Sequence, residues 1–326
     1  MRIAIDAMGG DNAPKEIVEG VFLAAKEHSE VQLLLIGDEI KINNCLKDCE
    51  KLNNITVVHT EQVITMDDDP MMIMKEKKDC SMAKGLQMLK NEEIDGFISA
   101  GSTGALHAGS SLIVRRIKGI RRSAIATIIP FENPILLLDS GANPTVTADI
   151  LNQWAILGST YMNKILNIEK VRVGLLNNGT EEHKGTPVVQ EAYQLLKNNS
   201  NINFVGNVES RELANSPCDV LLTDGFTGNI TLKLLEGVAK FFFGSLKKIY
   251  KTNFKTKMSY ILAKNELKSL KSSFDSSKYG GAPLLGLSKP VIKAHGSSDA
   301  NDIKNAIRQT IEYIDTKVID RVAESL

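Results

Sequence analysis

The sequence predicts an α/β protein built on a doubly wound, mostly parallel sheet. Short, nearly all-apolar runs recur along the chain, longer amphipathic stretches separate them, and Gly-rich polar joints connect one to the next. A strand that is apolar on both faces needs helices on both sides, and a parallel sheet with helical crossovers provides them.

In chain order the expected strands are "RIAID" (2–6), "VQLLLIG" (31–37), "ITVVH" (55–59), "IDGFIS" (94–99), "AIATII" (124–129) and "ILLLD" (135–139). Then follow "VRVGLL" (171–176), "INFVG" (202–206), "DVLLTD" (219–224) and "PVIKA" (290–294). Helical spacing is expected over 14–28, 78–90, 103–117, 147–168, 186–198, 228–250 and 300–323. The pair 124–139, joined through Pro130 and Pro134, reads as an antiparallel hairpin or a sheet edge. No repeat or low-complexity linker interrupts the pattern. The expectation is therefore one α/β unit over 1–326, compatible with two lobes, from which residues 240–275 protrude as a basic amphipathic helical arm.

Composition narrows the class. The 326 residues are 43% hydrophobic and 24% charged, which excludes wholesale disorder. Thirty-nine basic side chains balance 39 acidic ones, so the whole chain is no nucleic-acid-coating polycation. No apolar run approaches the roughly 18–20 residues that span a bilayer. Asp6 stands where a signal peptide needs apolar residues, so a cytoplasmic protein is expected. The four cysteines and five histidines show no metal-ligand spacing, and no metal is expected. The three adjacent aspartates of "MDDDPMMIM" (66–74) read as a capped loop before Pro70, since neighbouring carboxylates need not point together. The methionines clustered between Met66 and Met88 read as core filling, with a soft apolar wall for an acyl chain as the alternative.

The strand ends carry the chemistry. Six of them combine Gly with hydroxyl, amide or carboxylate side chains: Asp6–Asp11, Ser99–Gly104, Asp139–Asn143, Asn177–Gly185, Asp224–Asn229 and His295–Asp299. Ligands of open parallel sheets bind beyond strand carboxyl ends, at helix N-termini, so these six are expected to converge on one sheet edge as a polar site. Neither G-x-x-x-x-G-K-[ST] nor G-x-G-x-x-G is present, and there is no G-x-S-x-G elbow or His-partnered Cys. "GSTG" (101–104) and "HGSSDA" (295–300) read instead as cradles for phosphate or a phosphorylated group, each alone explicable as an N-cap. Lys184, His295, Asn177 and Asn229 are the groups able to hold an anion or stabilise an oxyanion.

Residues 240–271 hold nine lysines and one acid, Glu266. Phe254, Met258, Ile261 and Leu262 recur at helical spacing, flanked by Lys255, Lys257, Lys264, Lys268 and Lys271. Such a helix suits a membrane interface or a partner subunit, and a dimer that presents the arm to lipid satisfies both.

Taken together, "DAMGGDNAP" (6–14), "SAGSTGAL" (99–106), "NNGTEEHKG" (177–185), "TDGFTGN" (223–229), "YGGAPLLG" (279–286) and "VIKAHGSSDA" (291–300) resemble the signatures of the bacterial phosphate acyltransferase (PlsX) family, in order along almost the whole chain. The sequence departs from that pattern at Ser102, where many members carry Asn, and at Ser140 and Asn178, where apolar residues are common. The resemblance implies a fold like phosphotransacetylases and isocitrate/isopropylmalate dehydrogenases, and conversion of acyl-acyl carrier protein and inorganic phosphate to acyl phosphate without a cofactor. It further implies a role in phospholipid synthesis, a homodimer, and peripheral membrane association through a helical hairpin matching 252–275. The membrane glycerol-3-phosphate acyltransferase that consumes acyl phosphate is then a candidate partner.

Such a reaction suits a chain without an activated nucleophile, because phosphate is itself nucleophilic near neutral pH. On that reading Lys184, Gly101–Thr103 and Gly296–Ser298 hold phosphate, with Asn177 and Glu181 on the same strand end as Lys184. Asn229 or His295 donates to the oxyanion or departing sulfur, and Asp6, Asp139 and Asp224 order the loops. A basic stretch, Arg115, Arg116, Lys118, Arg121 and Arg122, is a candidate dock for an acidic carrier. The competing readings are a phosphotransacylase for short-chain acyl-coenzyme A, an NAD-dependent dehydrogenase of the same fold, and a non-catalytic membrane scaffold.

Overall fold

The computed structural model describes residues 1–324 except 48 and 275. Position 275, the end of the expected arm, residues 325–326 and the side chain of Lys271 lie outside the described residues. The described strands are β1 (Arg2–Asp6), β2 (Gln32–Gly37), β3 (Ile55–His59), β4 (Gly96–Ser99), β5 (Ala124–Ile129), β6 (Ile135–Leu138), β7 (Arg172–Asn177), β8 (Asn203–Glu209), β9 (Val220–Leu222), β10 (Ala282–Leu285) and β11 (Val291–Lys293). The helices are α1 (Lys15–Glu27), α2 (Glu39–Leu46), α3 (Ser81–Lys90), α4 (Thr103–Gly109), α5 (Ala148–Leu166), α6 (Pro187–Lys197), α7 (Gly225–Lys251), α8 (Phe254–Ser273), α9 (Ala300–Asp315) and α10 (Val318–Glu324).

All eleven strands form one sheet, in the order β3-β2-β1-β4-β11-β10-β5-β6-β9-β7-β8. Its two halves are parallel within themselves: β3, β2, β1, β4 and β11 on one side, β6, β9, β7 and β8 on the other. Between them, β11–β10, β10–β5 and β5–β6 are three successive antiparallel pairings. An odd number of reversals leaves the halves running in opposite senses, so the carboxyl ends of β1, β4 and β11 lie at the opposite edge from those of β6, β9 and β7. The expected convergence of six junctions on one edge is therefore corrected. Two of the reversals are local hairpins, but the β10–β5 pairing that joins the halves is remote in sequence, and local pattern does not encode it.

Helices cover the sheet as the apolar strands require. Ile17, Val21, Ile303 and Ile307 of α1 and α9 pack on Ile3, Ile5, Leu33 and Leu35. Met82, Leu86 and Leu106 of α3 and α4 cover the other face at Ala4 and Phe97. In the second half, Trp154, Tyr161, Ala192 and Val322 cover Leu136, Leu138, Val173 and Val220. Leu137 and Leu221 point the other way, as the two-residue strand period demands, and meet Leu232 and Leu235 of α7.

Four further differences from expectation are local. Helix 300–323 breaks into α9 and α10 where Lys317 adopts φ 50°. Helix 103–117 leaves α geometry after Gly109 and widens into a π turn over Ser110–Val114. Neither α2 nor β10 was expected, since α2 is short and weakly amphipathic and β10 is a four-residue strand that includes Pro283. The arm is a hairpin whose first limb, α7, begins at Gly225 and runs 27 residues, about 40 Å at 1.5 Å per residue.

Candidate active site

In the first half, the N-terminal loop ties the β4 and β11 ends together. Asp6, buried, accepts from Ser99 Oγ at 2.7 Å and from the Met8 amide at 3.2 Å. Ser99 Oγ in turn accepts the Gly101 amide at 3.0 Å. Gly9 allows the close approach: a Cβ there would stand 2.7 Å from the Gly101 amide nitrogen. The Asp11 amide donates to Gly296 O at 2.7 Å, and Asn12 Nδ2 reaches the Ser297 and Ser298 carbonyls, each at 3.2 Å.

Two expected phosphate cradles are largely self-satisfied. Ser102 is buried, and its Oγ caps α4 by accepting the Ala105 amide at 3.4 Å. Asp299 forms a capping box with Asp302 at the start of α9. The Ser298 amide is spent on His295 O, and Ser297 turns both its amide, at 3.2 Å, and its Oγ, at 2.9 Å, to His295 Nδ1. Because a backbone amide can only donate, Nδ1 is the acceptor, and the neutral ring keeps its proton on Nε2.

In the second half, Asp139 is fully buried and accepts from the amides of Ile125, Gly141, Ala142 and Asn143, with Asn143 Nδ2 at 2.9 Å. Asp224 caps α7 through the Thr227 amide at 2.8 Å. One turn on, Asn229 Nδ2 donates to Ser140 O at 3.2 Å and lies against Gly141.

The halves meet at a cleft of about 480 Å³, which crosses the sheet face instead of following one edge. Of the expected residues it gathers Thr103, Asn229, His295 and Gly296, and it adds Ser140, Gly141, Lys233, Glu236 and Lys293. Ser297 and Ser298 line an adjoining recess that shares His295 and Glu236. A larger hollow, about 720 Å³, lies between α6 and β8, with none of the expected site residues in its wall.

Lys293 is the residue that sequence reasoning passed over. It is 8% exposed at the end of β11, and Nζ donates to the carbonyls of Ala100, at 3.2 Å, and Ala294. Burial lowers its pKa to about 8, while the carboxylates of Asp6 and Asp11 pull it back up. Burial likewise raises Asp6, against hydrogen bonds and the Lys293 charge. The sequence signal was present: a lone charge inside the apolar run "PVIKA". An ammonium has three donors, so two carbonyl partners leave one for an anion in the cleft.

Lys184, Asn177 and Glu181 stand apart from this cleft. They lie on the β7 loop, two strands from β6, which is held by Asn177 Nδ2 to Lys184 O at 3.1 Å and Asn207 Nδ2 to Glu181 O at 2.9 Å. Phe254, Met258, Ile261 and Leu262 are all exposed on α8, and Tyr260 packs back on Tyr250 of α7 at 5.5 Å. Asp69 caps the turn after it by accepting the Met71 amide at 2.7 Å. Met82 lies in the core and Met66 beside the cleft. Among the described residues no group of His, Cys, Asp and Glu is placed to hold a metal.

A family model described as "Fatty acid synthesis protein" matches residues 1–321. A phosphate acyltransferase of Pediococcus pentosaceus is 46% identical over 329 residues, covering 99% of this chain and 94% of that one. The chain belongs to the phosphate acyltransferase family. Members of that family are acyltransferases, and the cleft is the candidate site. The fold is shared more widely. A phosphotransacetylase from Streptococcus pyogenes aligns with TM-score 0.64 at 19% identity, over 96% of this chain and 94% of that one. A branched-chain phosphotransacylase from Enterococcus faecalis aligns with TM-score 0.55 at 14% identity, over 96% and 98%.

Proposed function

We propose that this acyltransferase forms acyl phosphate from a long-chain acyl-acyl carrier protein and inorganic phosphate, for phospholipid (phosphatidic acid) synthesis, as a homodimer at the membrane surface. The observation that carries the reading is the cleft itself. It sets a buried lysine, the hydroxyl of Thr103, the amide of Asn229 and a histidine with a free Nε2–H around one space. These are anion-binding and oxyanion-stabilising groups, with no activated nucleophile among them.

In the proposed reaction a phosphate oxygen attacks the thioester carbonyl carbon. The new C–O bond forms as the C–S bond breaks, and the carrier leaves as a thiolate. With a thiol pKa near 8.5, that leaving group needs little acid assistance. Lys293 and Thr103 hold phosphate, while Asn229 and His295 donate to the oxyanion or departing sulfur. Lys184 lies outside the cleft and serves phosphate capture. Binding felt equally in ground and transition states alters KM, whereas charge stabilisation at the reacting atoms alters kcat. Lys184→Ala is therefore expected to raise the phosphate KM with kcat nearly kept. A fall in kcat as large as that of Lys293→Met would put Lys184 among the reacting groups.

The deciding experiment mixes protein, long-chain acyl-acyl carrier protein and phosphate, and traps acyl phosphate as its hydroxamate. Product from the carrier substrate is expected. Turnover of acetyl- or butyryl-coenzyme A alone would replace this reading with that of a short-chain phosphotransacylase.

A further inference from the structure

Beside the polar cleft lies a second cavity of opposite character, about 330 Å³, between the end of β5, the Pro130–Phe131 turn and helix α7. Its wall is apolar except for Glu236. Ile128, Leu232 and Glu236 line both cavities, so the two adjoin. On a helical wheel α7 has two apolar faces. Phe226, Ile230, Leu234 and Phe241 form an exposed outer stripe, while Leu232, Leu235, Ala239 and Phe243 turn toward the cavity. Phe274 closes its far end, with its ring centroid 5.7 Å from that of Phe243.

We infer that this groove is the acyl-chain subsite, running from the reacting carbonyl in the cleft along the inner face of α7. The inference rests on the acyl-transfer reading. An acyl donor must put its polar carbonyl among the donors of the cleft and its apolar tail elsewhere, and the groove is the apolar space that shares a wall with those donors. Its single charge, Glu236, sits where the polar and apolar parts join. It repels an anion from the groove mouth without facing a tail further in. At roughly 30 Å³ per water-sized group, the volume accepts about eleven carbon positions. Medium and long chains therefore fill it, and the shortest ones leave most of it empty.

The test compares hexadecanoyl and octanoyl donors on one carrier, with acyl phosphate as readout. Leu235→Trp fills the groove, and the ratio of kcat/KM for the long over the short donor is expected to fall at least about tenfold, the worth of about one lost methylene contact. Phe243→Ala widens it and is expected to raise the same ratio. Circular dichroism and sedimentation report fold and assembly, and either variant that folds suffices. A ratio within about twofold of wild type in a folded variant overturns the inference. So does an unchanged ratio with a lost dimer, which would make the groove a seat for a second copy. Wild-type protein that forms acyl phosphate from neither donor defeats the acyl-transfer reading itself, an outcome distinct from an unmoved ratio.

Discussion

A lysine that is only 8% exposed keeps little water at its ammonium, and at Lys293 two backbone carbonyls replace only part of what is lost. The drop from 10.5 to about 8 corresponds to on the order of 3 kcal/mol spent on keeping the charge buried. The sign follows from proton counting. Below about pH 8 both folded and unfolded chains carry the proton and the cost is full. Between about 8 and 10.5 the unfolded chain binds more protons, so the contribution of Lys293 to stability rises with pH. The unfolding free energy of the wild type relative to Lys293→Met is therefore expected to increase across that window, measured by urea titration at several pH values. A flat difference would show that the lysine is not held near 8. Catalysis runs the other way, because an anion needs the ammonium. The wild-type kcat is expected to decline above about pH 8, and Lys293→Met to lose about 10²–10³-fold in kcat at neutral pH, the scale of a removed oxyanion donor. Retained activity in that variant would exclude Lys293 from a part in the reaction.

Helix α7 links the core, the cleft and the arm, and its start is set by contact with backbone. A Cβ on Gly228 would fall 1.9 Å from Asp139 O, whereas Gly237 and Gly244 face open space. Gly228→Ala must push α7 away from β6 and carry Asn229 with it. It is expected to cost about 1–3 kcal/mol and to lower activity. Gly237→Ala and Gly244→Ala are expected to stabilise by up to about 1 kcal/mol, as exposed helical glycines do when replaced. Thermal melts of the three variants check this, and an equal response from all three would contradict it. Legibility in the sequence divides along the same line. α5, α6 and α7 were readable because their apolar periods are long, and β1, β2 and β5 because they are short, mainly apolar runs. β10 was not, because four residues that include a proline carry no period. The polar strand ends were readable as candidates from Gly beside hydroxyls and amides. Their grouping was not, since His295 is set in the half opposite Asn229 and Lys184 by the β10–β5 pairing, which joins segments far apart in the chain.

Formal neutrality of the whole molecule conceals a segregated charge. Residues 240–271 carry nine lysines against one glutamate, so the remainder is equally acidic. No helix of the described residues is long and apolar enough to cross a membrane. The hairpin instead ends in α8 with Phe254 78% and Leu262 82% exposed, beside half-exposed Met258 and strongly exposed Ile261. Solvent-exposed aromatic and aliphatic side chains ringed by lysines match an anionic bilayer surface, where each lysine is worth about 1 kcal/mol. The apolar groove along α7 reaches the base of this hairpin, where Phe243 meets Phe274, so on the acyl-subsite inference docking at a bilayer would bring an acyl product close to its next apolar phase. Phe254→Glu with Ile261→Glu should remove vesicle binding while leaving turnover of the soluble donor near wild type, because neither residue touches the cleft. Co-sedimentation with vesicles of phosphatidylcholine and phosphatidylglycerol measures it. Wild-type binding is expected to weaken as salt rises past about 0.15 M, where screening acts within about 8 Å. Binding to purely zwitterionic vesicles that equals binding to anionic ones would deny the lysines their role, and a double variant that still sediments with lipid would deny the hairpin its own.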